Sequence, residues 1–524
     1  MSVPAAAAAA KPPPMDSEVM GRFDDFSDKL SPMLVKELRQ GLRAKTFVIV
    51  FLTLQALLAV VLLIGISAAS PEGAGQVVSK VIFLFFSMAV LLVQPLRGVG
   101  ALHNEIKGNT IDLMVLTRLG AWRIVLGKWV AIVSQSALLL TAIAPYLILR
   151  YFFGGMNLFA ELLLLGLVFL GSAIFTAFTV GISAIAPILV RGLVPLVVAI
   201  GIAMGIFGAI FDDGFHEMIE FCSLQKEGMG WGLLAGILTG VYGGWFALAS
   251  GTSMIAPMAE NHSTARRVAA IAAVLALAVI AWGGDFDRAS VCVLLVLFSV
   301  PAIAFALTEP FELLPPVCRP FLKYGAAGKL AGRFFYPGWP SGILFTALLL
   351  GLGAAVHFGL QALNPGYMPG IDRARMQDVT MLAFTGTLLL PAVVLRIFSA
   401  KVRHAFAFYL FIAVILGGLT LGLAMISQWF ITEYVESPKF LWYFSWIPPV
   451  KMLLAKMIQD DFYAVLRDGR PTTGAPNYVP VVITGLITTG TYLAVLLVFA
   501  VRKFAALREI EEDADAQPVP DTAP

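Results

Sequence analysis

The chain has 524 residues, 59% of them hydrophobic and only 13% charged, with a mean hydropathy of +0.86. Soluble domains carry roughly 25% charged residues, so a soluble globular class is excluded and an all-α polytopic membrane protein is indicated. A net charge of +3 offers nucleic acid no basis for binding, and Cys222, Cys292 and Cys318 are scattered without a CxxC spacing, so they carry no metal or redox signature.

Residues 1–30, opening MSVPAAAAAAKPPP, form an Ala/Pro-rich low-complexity tail that is expected to be disordered. It does not read as a signal peptide, because the first apolar run begins only near Phe47. Ahead of that run Phe23, Phe26, Leu30, Leu34, Leu38 and Leu42 recur every three or four residues. Lys36, Glu37, Arg39, Arg43 and Lys45 are interleaved with them. That pattern predicts an amphipathic helix lying on an anionic leaflet.

A bilayer core needs about 20 apolar residues per helix. Runs of that length start near Phe47, Ser79, Ile124, Phe159, Gly192 and Trp231 in the first half. In the second half they start near Val268, Ala289, Ser341, Val379, Ala405 and Val479. Twelve spans are therefore expected, with Pro145, Pro187, Pro301 and Pro391 as candidate kinks. With the N-terminus inside, 25 of the 36 Lys and Arg fall on the cytoplasmic side, and five of the outside ones lie in the single long loop from Lys439 to Arg470. The positive-inside rule is obeyed, so both termini are expected in the cytoplasm.

The spans divide into two sixes. A first unit covers 31–256, a short basic linker 257–267, a second unit 268–503, and an acidic cytoplasmic tail 504–524. Each unit has a basic cytoplasmic insert between its second and third spans, Arg97–Lys128 and Thr308–Pro340, about 210 residues apart. Each also has a longer outside loop before its last span, Asp212–Gly230 and Ile431–Tyr478. In the second of these, Trp442, Tyr443, Phe444 and Trp446 are expected at the outer interface as an aromatic belt.

The spans themselves hold almost no ionisable groups: Glu161 and His357 sit at outer ends, and none is found mid-span. A secondary transporter marks its pathway with such groups, so any transport must be powered from elsewhere. No GxxxxGK[ST] loop supplies the power, and no HExxH, GxSxG or paired acids suggest an active site. No enzyme, cofactor or metal site is read in the chain. Gly232, Gly236, Gly240 and Gly244 recur every fourth residue in the sixth span, a spacing that lets helices approach closely. Packing within the chain is favoured over a dimer seam.

Two stretches carry a resemblance. SPMLVKELRQGLRAKTFVIVFLTL (Ser31 to Leu54) looks like the elbow helix and first span of the membrane subunit of type-2 ABC exporters. NEIKGNTIDLMVLTRLGAWRIVLGKW looks like that family's coupling segment: an acid, a Gly-Thr turn, an apolar helix, bases, then Gly-Lys entering the third span. The likeness is good over residues 31 to about 256 and weaker afterwards, where the second insert keeps the order of charges but adds prolines.

The resemblance implies a permease of the bacterial cytoplasmic membrane. A separate nucleotide-binding ATPase subunit would bind ATP and Mg²⁺ and move the spans through cytoplasmic coupling helices. Candidate contacts are Glu105, Asp112, Arg118 and Arg123 in the first insert and Glu309, Arg319 and Lys329 in the second. If both halves are transmembrane domains, one chain replaces the usual pair, and a second copy is needed only if they are not. A structural or assembly protein that binds an ATPase partner is the main alternative, and a secondary transporter is disfavoured. The cargo is not legible: Thr484, Thr488 and Thr489 suit amphipathic substrates and ordinary packing equally.

Overall fold

The computed structural model describes residues 32–67, 71–108, 120–152, 157–185, 189–211, 214–257, 260–363, 371–398, 402, 404–434, 439–467 and 476–516. Among these residues twelve helices are long and apolar enough to cross a bilayer, and no strand occurs. The first six are Lys45–Ile64, Gly75–Lys107, Ala121–Tyr151, Leu158–Ile182, Val190–Phe211 and Met229–Ile255. The others are Ser263–Gly283, Arg288–Thr308, Trp339–Leu360, Arg375–Ile397, Ala405–Phe430 and Val479–Ala516. They are numbered below as the first to twelfth spans. The protein is an all-α polytopic membrane protein.

The two halves repeat one another in their neighbours. The fourth span packs along the sixth, and the tenth along the twelfth. The first packs on the second as the seventh packs on the eighth, and the fifth touches the second as the eleventh touches the eighth. The halves join where the sixth span lies against the seventh and eighth. There Tyr242 and Phe246 share a core with Ala270, Leu277, Phe298 and Ala306, and the Tyr242 hydroxyl donates to the Phe298 carbonyl at 3.1 Å.

Pro145, Pro301 and Pro391 all sit inside continuous helices, and Pro187 lies outside the described residues. The second span is irregular. It passes through a π-turn at Met88–Val93, Pro95, and a 3₁₀ turn at Arg97–Gly100. Proline cannot donate to the helical ladder, and a freed carbonyl inside a bilayer must find another donor. The fourth span supplies two: Ser172 donates to the Val90 carbonyl and Thr179 to that of Pro95, each at 2.7 Å.

Glycine packing differs from the expected ladder. A side chain at Gly240 or Gly244 would meet Ile174 of the fourth span and one at Gly232 would meet Phe221, whereas Gly236 faces no atom within 4 Å. A tighter contact of the sixth span lies elsewhere, where Gly181 of the fourth span lies against Ala247 and Gly251 of the sixth, backbone to backbone.

The segment before the twelfth span folds into the bundle. A 3₁₀ turn at Lys439–Phe444 leads into the helix Val450–Arg467. Leu441, Ile447, Val450 and Leu454 are buried against Val379, Leu390, Leu423 and Val481. Pro448 reaches Gly386, near the middle of the tenth span, and the Tyr492 hydroxyl of the twelfth holds the Trp446 carbonyl. Of the aromatic quartet, Tyr443 and Trp446 are exposed, and Trp442 and Phe444 pack on the core. Lys451, counted by sequence among loop charges, is fully buried and donates to the Ser445 carbonyl at 2.9 Å. In the first half Gly214–Cys222 plays the matching part, with Phe215 edge-on to Phe83 at 5.3 Å.

The expected tail from residue 504 is a helical extension as far as Ala516. Leu507 and Ala514 are buried against Leu313, Val317, Cys318 and Tyr336 of the second insert. This docking has a simple cause: Phe504, Leu507, Ile510 and Ala514 form one apolar stripe on an otherwise acidic helix.

Candidate functional site

The inserts leave the bundle at one end, and an ion cluster ties neighbouring elements together beside each of them. In the first half Lys128 stands two turns into the third span with its side chain 7% exposed. Its ammonium lies 3.0 Å from Glu37 of the amphipathic helix Pro32–Leu42 and 3.0 Å from Glu105, at the end of the second span where the first insert begins. One cation thus joins three separate elements. Beside it, Gly41 lies directly against Gln135, which with Gln94 accepts from Arg97.

The second half uses the opposite charge pattern. Glu309 caps the end of the eighth span and accepts from Arg266 at 2.9 Å, from Arg267 at 2.8 Å, from Ser263, and from the Gly338 amide at 2.9 Å. Arg267 also donates to the carbonyls of Phe334, Tyr336 and Gly338. Arg396 closes the group by donating to the Leu307 carbonyl and lying 4.4 Å over the Trp339 ring. Burial by itself pushes the Glu309 carboxyl up, but Arg267 and Arg266 outweigh it and hold the group below the usual carboxylate range. Within this second insert the chain forms two short helices, Pro315–Leu322 and Gly325–Phe335.

The opposite end of the bundle carries two more clusters. In the first half Arg150 donates to Ser79 at 2.7 Å, Ser79 donates to Glu161 at 3.1 Å, and Arg150 lies 3.5 Å from Glu161. These residues begin the second span, end the third and begin the fourth. In the second half Arg288, His357 and Asp378 hold the same three stations on the eighth, ninth and tenth spans. Each half is thus pinned at both ends by ions.

No family model, curated protein or solved structure matches the chain. The carboxylates at these stations are engaged by Arg or Lys, so their chemistry is that of fixed acceptors which hold elements in register. Among the described residues no group of three or more His, Cys, Asp and Glu is placed to hold a metal ion.

The sequence-selected residues divide sharply. Glu105 and Glu309 face inward as fasteners. Arg123 is exposed on the first turn of the third span, Lys36 and Arg39 are exposed on the amphipathic helix and Arg43 in the turn after it, while Glu37 turns inward to Lys128. Arg319 is partly buried, and Lys329 lies 3.1 Å from Asp515 of the helical extension. Asp112 and Arg118 lie outside the described residues. Sequence reasoning missed Lys128, Arg150, Arg266, Arg267, Arg288 and Asp378 as site residues. The available signal was positional: each stands within about two turns of the edge of an apolar run, where a charge can be neutralised only by a neighbouring span.

Proposed function

We propose that the chain is the membrane-spanning subunit of an ABC-type exporter, with its inserts and both termini in the cytoplasm of a bacterium and its spans in the cytoplasmic membrane. A separate ATPase supplies ATP hydrolysis, and one chain provides both permease halves. The observation that carries this reading is the fastening of each insert. A force applied at the surface of the first insert passes through Glu105 and Lys128 to the third span and the elbow helix. A force on the second passes through Glu309 to the linker and the seventh span. A loop lying loosely on headgroups would need no buried ion pairs.

The direct test is charge reversal at Arg118 and Arg123 together, with co-purification of a nucleotide-binding subunit, ATP hydrolysis and transport as readouts. Exposed pairs are worth under about 1 kcal/mol each, so the double reversal is the fair experiment. Binding and coupling are expected to fall while expression and insertion stay normal. An ATPase complex indifferent to this change and to reversal at Arg319 and Lys329 would leave the proposal without its mechanism. Topology is tested separately: reporters at Asp285 should read external and at Lys329 internal.

An ion-driven carrier is the second reading, favoured by buried Lys451 and by the His357–Asp378 contact. It predicts transport that collapses with an ionophore and ignores ATP depletion.

A further inference from the structure

The eighth, ninth, tenth and twelfth spans enclose a cavity of about 320 Å³. Its walls are apolar, with Leu295, Ile303, Leu349, Met381 and Val482 among them, and one end carries His357 and Asp378. Phe358, Phe384 and Leu486 at its rim are 57%, 41% and 58% exposed, so the opening faces sideways, toward the bilayer.

The polar end is satisfied on its inner side. Asp378 Oδ1 accepts from Arg288, and His357 Nε2 lies 3.4 Å from the same oxygen. The Arg288 Nε–H donates to His357 Nε2 at 3.0 Å. The other ring nitrogen, Nδ1, lies 3.5 Å from the Cys292 sulfur. Arg288 and His357 are only 2% and 3% exposed. The Asp378 side chain is 28% exposed, and its Oδ2 takes no partner among the described residues. Asp378 lines the cavity, and these contacts use only its Oδ1, which leaves Oδ2 as a carboxylate acceptor.

We propose that this cavity binds an amphiphile with one hydrocarbon chain between these spans and a hydrogen-bond-donating head, an amine or hydroxyl, on Asp378 Oδ2. Pockets of this kind combine an apolar body with a few placed polar groups that fix orientation. The volume is about twice the roughly 150 Å³ that admits benzene in an engineered cavity, enough for a chain segment. A carboxylate head would meet Asp378 as a like charge and is disfavoured. The site stands apart from the ATP-driven reading, since binding is measured without an ATPase.

The test uses the full chain in phosphatidylcholine nanodiscs with three diazirine probes of equal chain length: an alkylamine, a fatty acid and a plain hydrocarbon. After irradiation, peptide mass spectrometry locates the adducts. The amine should label Val296–Ile303 and Leu349–Ala354 roughly tenfold more than the other two, the discrimination expected of one hydrogen bond to a charged group. Decylamine and decanol should displace it, and decanoate should not. Gly353 lines the cavity, and a Cβ there meets no atom within 4 Å. Gly353→Leu should therefore abolish wall labelling while leaving the Arg288–His357–Asp378 group intact. Asp378→Asn should remove the preference for the amine, and Gly353→Leu keeps the test valid if that variant misfolds. Equal labelling by all three probes, or none at the wall, overturns the proposal. Phosphatidylethanolamine nanodiscs separate the sources: competition there identifies a membrane lipid as the natural occupant, and its absence identifies a free amphiphile, each supporting the site.

Discussion

Replacing Glu309 with alanine is expected to destabilise the second half by about 3–5 kcal/mol, the cost of removing one partner from a buried ion pair. Two guanidinium groups, Arg266 and Arg267, lose their counter-charge at once, and the Gly338 amide loses its acceptor. Thermal unfolding of the purified protein in detergent measures the loss. A triple replacement of Glu309, Arg266 and Arg267 by methionine should recover part of it, because a buried ion cluster exchanged whole for apolar side chains is often neutral. Equal melting of wild type and the alanine variant at pH 7 would show that the cluster does not hold the insert.

The pH dependence has a definite sign. Arg267 and Arg266 hold the Glu309 carboxyl below its ordinary value, which is about 4.3. A depressed folded value means that the contribution is complete above about pH 4.3 and fades as pH falls through the lower folded value. The gap between wild type and Glu309→Ala should therefore stay constant through the neutral range and narrow only in strong acid. A gap that closes between pH 8 and pH 6 would assign the effect to another group.

Gly181→Leu is expected to cost about 1–3 kcal/mol or more through overpacking, because its Cβ would fall on the Ala247 carbonyl across the contact between the fourth and sixth spans. The same change at Gly236 should be nearly silent, since a Cβ there meets no atom within 4 Å. Melting temperature and monodispersity on gel filtration compare the two. Equal damage at Gly181 and Gly236 would restore the glycine ladder of the sixth span as the packing seam.

These contrasts show where legibility ended. Span starts such as Phe47, Phe159, Ala405 and Val479 lie within two residues of the structural ones, Lys45, Leu158, Ala405 and Val479. Hydrocarbon tolerates only long apolar helices, so length and composition suffice there. The repeat of inserts and outer loops was legible for the same reason, as interruptions in the apolar pattern. The ion clusters were not. Ser79, Arg150 and Glu161 are separated by 71 and 82 residues along the chain in their pairings, and Arg288 and Asp378 by 90.

The sequence by itself determined the class, the number of spans, their approximate limits and the two sets of six, because each follows from whether a local segment can be dissolved in lipid. Only the tertiary structure decided the rest. It decided that Glu105 and Glu309 turn inward and that Lys451 is carried into the bundle. It decided that the sixth span is approached closely at Gly181 and not at Gly236, and that the chain after Phe504 docks on the second insert. A charge or a glycine takes its role from what stands opposite it, and in a helical bundle the opposite residue lies on another helix, at a distance that no local pattern encodes.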